Sequence, residues 1–290
     1  MNRIERNYYL AQLIDKRDNG RIKVITGIRR CGKSVLLFEI FGDYLKAEGI
    51  ADDQMIMLKL DVARNARYRN PMELEKYLRE QIKDSKKQYY VMLDEIQEVE
   101  PIPNPWLDDD NATIGFADIL LGLLEIKNVD VYVTGSNSKM LSTDVMTEFR
   151  DRGDEIHVNP LVYKEFYSAY QGDKSRAWAE YVTYGGLPRV MALKTDREKS
   201  QYLHDLISKT YLTDVVERNH IHKDISVLDD LLNIVASSIG SLTSPKKLEN
   251  TFATIKQTKI DDATISIYPG YFAEAYLLRQ SRQYDIKGRK

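Results

Sequence analysis

Residues Gly27 to Ser34 read GIRRCGKS, a complete G-x-x-x-x-G-K-[ST] string. A largely apolar run, Ile22 to Ile25, precedes it, and a strongly apolar helical stretch, Ser34 to Phe41, follows. This is the strand–loop–helix setting that makes the string a phosphate-binding loop. Gly27 and Gly32 let the backbone turn tightly, so that its N–H groups can ring a β-phosphate. The helix that starts there adds partial positive charge at its N-terminus. Lys33 is placed to reach β- and γ-phosphates, and the Ser34 hydroxyl to bind Mg²⁺. The nucleotide-binding segment therefore runs through Gly27, Ile28, Arg29, Arg30, Cys31, Gly32, Lys33, Ser34 and Val35. Arg29 and Arg30 are loop arginines that could read phosphate or a partner. Cys31 occupies a free position of the string.

A chain of 290 residues suggests about two domains. Acids and bases nearly cancel, 44 against 42, so global charge argues neither for nor against nucleic acid. The single cysteine excludes a disulfide framework within the chain and suits a reducing compartment. The N-terminus, MNRIERNYYL, lacks an apolar signal core. No stretch approaches the ~20 apolar residues of a membrane span. A cytoplasmic location without membrane contact is the expectation.

The pattern predicts a short helix over Leu10 to Arg17 and strands over Met55 to Val62, Tyr89 to Leu93, Val129 to Thr134 and Glu155 to Val158. Between them it predicts helices over Pro71 to Lys83 and Gly115 to Ile126. Pro101 to Asn111, with three prolines and three consecutive aspartates, reads as an exposed loop. Alternation over residues 20 to 160 means an α/β fold, a parallel sheet covered by helices on both faces. From Leu161 to His222 the pattern is helical. A third unit starts at Asp224: an amphipathic helix around Val227 to Val235, a helix start at Ser244-Pro245, and a helical segment near Asp261. A loose alternation over Tyr276 to Ile286 then reads as a hairpin wing. The expected domains are 1–160, 161–223 and 224–290, the last winged-helix-like.

Val91-Met92-Leu93-Asp94-Glu95 closes an apolar strand with two acids, about sixty residues after the loop. In that position Asp94 can orient Mg²⁺ through its water shell, and Glu95 can polarise an attacking water as general base. Gln97 can position water or cap the following turn. His220 and His222 are too close in sequence to share a helix face, and nothing around them forms a zinc set. No N-K-x-D string argues for a GTPase.

The set resembles the AAA+ ATPases, with Val129–Thr134 as the extra strand of that division. It is most similar to a prokaryotic family of predicted AAA+ ATPases that join such a core to a C-terminal region of unknown function. The matching strings are ITGIRRCGKS at 25–34, MLDEIQ at 92–97, VTGSNSKML at 133–141, RGDEIHVNPLVYKEF at 152–166, YGGLPR at 184–189 and YLTDVVERN at 211–219. The resemblance implies ATP and Mg²⁺ as ligands. It also implies a polar sensor at Ser136 or Asn137; Asn137 is preferred, because an amide can contact both water and phosphate. Arg152 corresponds to the arginine of the family's Gly-Arg pair. It would act as a finger on the nucleotide of its own chain or of a neighbour, with Asp151 replacing the glycine and Arg150 as the alternative. Gly185-Gly186-Leu187-Pro188 resembles a Gly-x-Pro element whose proline, here Pro188, packs near adenine. Relatives continue past the point where this chain stops after DIKGRK, so a truncated form is implied.

From Lys246 to Lys290 there are nine Lys or Arg against five Asp or Glu. A basic winged helix would suit DNA phosphates. Pro269-Gly270 is expected to break the helix that would read the groove. The expected function is an Mg²⁺-dependent ATP hydrolase acting as a switch or motor on a macromolecular partner, protein or DNA, with oligomerisation open. The alternative is a DNA-associated protein gated by ATP with little turnover. A small-molecule kinase fits less well, because the helical and winged-helix units resemble regulatory modules rather than a substrate lid.

Overall fold

The fold is given by a computed structural model, which describes residues 3–109, 111–135, 149, 151–221, 225–256 and 262–281. It divides into two compact units, Met1–Ser200 and Gln201–Lys290. The boundary falls inside the helix Asp196–Leu206.

The first unit is built on five parallel strands. They are β1 (Ile22–Thr26), β2 (Met55–Lys59), β3 (Tyr89–Asp94), β6 (Val129–Thr134) and β7 (Gly153–His157), in the order β2-β3-β6-β1-β7. Every residue of β1, β3 and β6 is buried, as a sheet covered on both faces requires. Alternation divides the strands between two cores. Val24, Val91, Leu93, Val131 and Val133 face the helices Pro71–Gln81 and Phe116–Leu123. Ile25, Tyr90, Met92 and Tyr132 face the helix Asn7–Asp15 and the apolar helix after the loop, through Leu36, Leu37 and Phe41. That helix begins at Lys33–Val35, widens into π-type turns over Leu36–Phe41 and ends as Gly42–Ala47. Asn70 starts Pro71–Gln81: its side chain accepts the Met72 and Glu73 amides, and Pro71 holds the first helical position.

The segment 101–111 is more than a loop. A two-stranded antiparallel hairpin, β4 (Ile102–Pro103) and β5 (Thr113–Ile114), closes its base.

The second unit is helical. Leu212–Arg218, Ile225–Ser237, Pro245–Lys256 and Asp262–Glu274 bury Leu212, Leu231, Phe252, Ile265, Tyr268 and Phe272 together. Ser244 caps its helix as expected, its Oγ accepting the Lys247 amide at 3.2 Å. The expected break at Pro269-Gly270 is corrected: Asp262–Glu274 runs through Pro269. The missing N–H loosens one turn, and burial of Ile265, Tyr268 and Phe272 on both sides of the proline keeps the helix intact. Of the expected wing, residues 276–281 contain no strand, and 282–286 lie outside the described residues.

Beneath the sheet's loop-free end lies a buried ion pair. Lys23 on β1 and Asp130 on β6 are 0% and 2% exposed and meet directly. The Tyr132 hydroxyl and the Asp18 amide donate to Asp130 Oδ2 at 2.7 and 2.9 Å. Lys23 Nζ also donates to the Arg21 carbonyl at 2.9 Å. Burial pushes the Lys23 ammonium pKa down, against the pull of Asp130. Removing one member leaves the other charged and unpaired in the core. Asp130→Ala should therefore lower the unfolding free energy by about 3–5 kcal/mol, while Lys23→Met with Asp130→Leu together should cost clearly less. Urea titrations of the two variants and the parent measure this, and equal losses would show that the pair is not coupled.

Candidate functional site

The C-terminal ends of β1, β6 and β3 lie side by side, the edge where open parallel sheets bind ligands. The loop leaves β1 at Gly27, whose φ of 137° and close neighbour both demand glycine. A Cβ there would stand 2.2 Å from the Val158 carbonyl oxygen. Gly32 closes the loop at φ 105° and begins the helix. Arg30 takes φ 66°, a left-handed conformation that costs a non-glycine residue energy. Lys33 is 4% exposed. Its Nζ curls over the loop and donates to the Gly27 and Ile28 carbonyls at 2.8 and 3.1 Å. Cys31 is buried with Sγ against the Val158 carbonyl at 3.3 Å, and burial raises its pKa. It is a packing residue. Arg29 is half-buried, while Arg30 and Val35 point outward.

Across from the loop, Asp94 ends β3. Ser34 Oγ donates to Asp94 Oδ1 at 3.0 Å, and Thr134 Oγ1, at the end of β6, donates to the same oxygen. Thr134 Oγ1 in turn accepts the Glu95 amide at 3.2 Å. The hydroxyl thus ties both acids to β6. The sequence reading missed Thr134, which it saw only as a strand residue. Burial raises the Asp94 carboxyl pKa; the Thr134 and Ser34 hydrogen bonds pull the other way. Glu95 sits at φ 56°, ψ 53°, again left-handed. Gln97, buried, donates its amide to Glu95 Oε2. It holds the acid itself rather than capping the turn.

Arg6 is a second residue that sequence reasoning passed over. It is 4% exposed. Nη1 donates to the Cys31 carbonyl at 3.0 Å, Nη2 to the Asn159 carbonyl at 2.6 Å, and Nε lies 3.1 Å from Glu165. One guanidinium thus fastens the loop to the chain that follows β7. The Gly185–Pro188 element packs on that same segment. Leu161 donates its amide to the Gly186 carbonyl at 2.7 Å, and a Cβ on Gly186 would stand 2.1 Å from the Leu161 oxygen. Pro188 follows, half-buried, at the start of a short 3₁₀ turn.

Arg152 is exposed, and its carbonyl accepts the Ile22 amide at 2.9 Å. This places it beside the start of β1, whereas the loop is at the end. Five residues at about 3.3 Å each separate the two by about 16 Å, beyond the reach of an arginine side chain. Of the two alternatives for Arg152, the one in which it acts on its own chain's nucleotide is thereby removed. Ser136, Asn137 and Arg150 lie outside the described residues.

A family model described as an AAA domain matches residues 19–167, just over half the chain. The protein belongs to the AAA-domain family. A second model, a domain of unknown function, matches residues 175–290 of this AAA protein. An uncharacterized protein of Haemophilus influenzae is 32% identical over 291 residues, covering 99% of this chain and 68% of that one. An uncharacterized protein of Methanocaldococcus jannaschii is 29% identical, over 92% of this chain and 58% of its own length. Among solved structures, the Aeropyrum pernix ORC2 protein in its ADPNP-ADP complexes aligns with a TM-score of 0.52 at 15% identity, over 95% of this chain and 87% of that one. Its ADP form aligns at 0.50 and 15%, over 93% and 85%. At such identity the likeness shows the fold alone, the AAA-type sheet in which the β2-β3-β6-β1-β7 order carries the loop. No helix among the described residues is long and apolar enough to cross a membrane.

The raised pKa of Asp94 bears on stability. The folded protein holds this proton more tightly than the unfolded chain does. The group's contribution is therefore most favourable in acid, and stability is lost as pH rises through the raised pKa. Asp94→Asn keeps the acceptor oxygen for Ser34 and Thr134 and removes the buried charge. Free of nucleotide, this variant should melt above the parent at neutral pH, and the gap should close in mild acid. Melting curves across that range check it; a variant that melts lower at neutral pH would refute the assignment.

Proposed function

We propose that this AAA protein is an Mg²⁺-dependent ATP hydrolase that acts as a switch or motor on a macromolecular partner. The observation that carries the reading is the meeting of Ser34, Asp94 and Thr134 at one oxygen beside the lysine of the loop. Hard oxygen donors 3.0 Å apart, one hydroxyl and one carboxylate, fit Mg²⁺. The glycine-lined loop, in which a side chain at Gly27 has no room, fits a polyphosphate.

Bound there, Mg²⁺ would neutralise charge on the phosphates. Lys33 binds the β- and γ-phosphates, exchanging its two carbonyl partners for anionic ones. Loop amides and the helix N-terminus orient the chain of phosphates. Glu95 takes the proton of the attacking water as that water adds to the γ-phosphorus and ADP leaves. Thr134 fixes the Glu95 backbone, and Gln97 fixes its carboxylate. Asn137 is the proposed sensor on sequence grounds. Arg152 is the proposed finger toward a neighbouring chain, and Pro188 the adenine contact. The ADPNP and ADP held by the Aeropyrum ORC2 protein support the choice of adenine nucleotide.

DNA is the second reading, favoured by the net charge of +4 over residues 246–290, with Arg279 exposed.

Lys33→Ala removes a charged contact worth about 1.5–3 kcal/mol, so affinity for a fluorescent ATP analogue should fall about 10- to 100-fold. Glu95→Gln should bind the analogue normally and hydrolyse ATP about 10²- to 10⁴-fold more slowly. Parent-like turnover by Glu95→Gln would move the base elsewhere. For DNA, filter binding at two salt concentrations should show a steep loss with salt, and Arg279→Glu should weaken all sequences alike. Salt-independent retention would exclude phosphate contacts.

A further inference from the structure

Two exposed apolar surfaces of opposite charge stand on the first unit. One is the tip of the β4–β5 hairpin. Trp106 is 68% exposed and Leu107 58%, and the exposed Asp108 and Asp109 come next in the chain. From Val99 to Ile126 the sequence has six acids and no Lys or Arg. The tip holds its shape through its own hydrogen bonds. Asn104 Oδ1 accepts the Trp106 amide at 3.0 Å, and Asn104 N donates to the Ala112 carbonyl at 2.8 Å. The two apolar side chains are thus displayed on an ordered support, with water around them.

The other surface lies on the helices Tyr163–Ala169 and Ala177–Tyr184. The Tyr163 ring packs against Tyr167, Trp178 and Tyr181 at centroid distances of 5.7, 4.9 and 5.4 Å. The outer members remain open: Tyr167 is 42% exposed, Trp178 59% and Val182 63%. Cations frame this face. Lys174 Nζ stands 4.5 Å above the Tyr167 ring, and Arg176 is exposed beside it in sequence. The helices' own acids turn elsewhere, Glu165 to Arg6 and Glu180 to Lys199. The exposed Asp173 between the helices accepts from the Ser175 amide and hydroxyl, which leaves Lys164, Lys174 and Arg176 in excess on this stretch.

We propose that the hairpin tip of one copy of this chain docks on the aromatic face of a second copy, Trp106 and Leu107 against Tyr167, Trp178 and Val182, and Asp108 and Asp109 against Lys174 and Arg176. Charge complementarity selects this occupant. The tip repels nucleic acid, and the face attracts an acidic apolar knob. Aromatic anchors with a charged rim are what protein interfaces use. Within one chain the two surfaces do not cover each other. The tip lies beyond β3 in the chain, and the face beyond β7 at the sheet edge, with β6 and β1 between. Because the two patches differ, the contact is heterologous and joins copies head to tail, in a closed ring or a growing chain. The inference stands apart from the nucleotide chemistry.

The test is the mass of the full chain in solution by light scattering over a concentration series. Wild type should associate. Trp106→Ser with Leu107→Ser, and separately Tyr167→Ala with Trp178→Ala, should each weaken association on the order of tenfold or more. The tip variant should melt close to the parent, since Trp106 and Leu107 are the more exposed pair. The face variant gives up ring contacts to Tyr163 and should melt somewhat lower, so the charge-swap pair is the arm that separates docking from stability. Mixed in equal amounts, the two variants should form dimers and nothing larger, since one intact tip meets one intact face. Asp108→Lys with Asp109→Lys should also dissociate the assembly, and Lys174→Glu with Arg176→Glu in the same chain should restore it. A wild type that stays a single chain at its highest soluble concentration would overturn the proposal, as would an assembly that these variants leave intact. Should a single-chain wild type instead retain a labelled single-stranded oligonucleotide and lose it on Trp178→Ala, the aromatic face belongs to nucleic acid and the proposal falls.

Discussion

One carboxylate oxygen organises the site. Asp94 Oδ1 receives hydroxyls from Ser34, on the helix after the loop, and from Thr134, at the end of β6. Three chain segments far apart in sequence thereby share one acceptor. Each bond is modest by itself, about 1 kcal/mol. The geometry matters more, because the acceptor is nearly buried and an unmade bond there would leave a desolvated oxygen unsatisfied. The arrangement fixes how the loop helix lies over the sheet and how the next residue, Glu95, leaves β3. It also carries a cost, since burial disfavours the charged form of Asp94.

Around that oxygen the backbone is held in conformations it would not choose alone. Arg30 and Glu95 both have positive φ, each costing on the order of 1–3 kcal/mol. Such conformations persist where neighbours over-determine them. At Glu95 the neighbours are Thr134, which accepts its amide, and Gln97, which holds its carboxylate. At the loop they are Val158, pressed on Gly27, and Arg6, hydrogen-bonded to the Cys31 carbonyl. Arg6 also reaches Asn159 and Glu165. A shift of the chain beyond β7 would therefore reach the loop both through Val158 and through this buried guanidinium.

Much of this was legible beforehand. Apolar runs read as strands turned out to be strands, because a fully buried parallel sheet imposes an unmistakable composition. The loop and the two acids, Asp94 closing β3 and Glu95 following it, stood out by motif and spacing, and the structure sets Ser34 of the loop helix against Asp94. Ser244-Pro245 was read correctly because a cap is a local interaction. Pro269 was misread for the opposite reason. The local rule says that proline breaks a helix, and packing of Ile265, Tyr268 and Phe272 outweighed it. Thr134 and Arg6 gave no signal, because a lone threonine or arginine acquires a role only from the residues that fold against it.

The sequence by itself determined the strand–loop–helix unit, the glycines of its loop and the pair of acids that closes β3, each of which depends on residues close together in the chain. The tertiary structure alone decided the order β2-β3-β6-β1-β7 and its consequences. That order brings Thr134 between the loop and Asp94, sets Arg152 at the opposite end of the sheet from the loop, and puts β6 and β1 between the strand that bears the hairpin and the one that leads to the aromatic face. These are distances between residues tens to more than a hundred positions apart. Strand pairing fixes them through backbone hydrogen bonds that are alike for every sequence, so no single residue announces them.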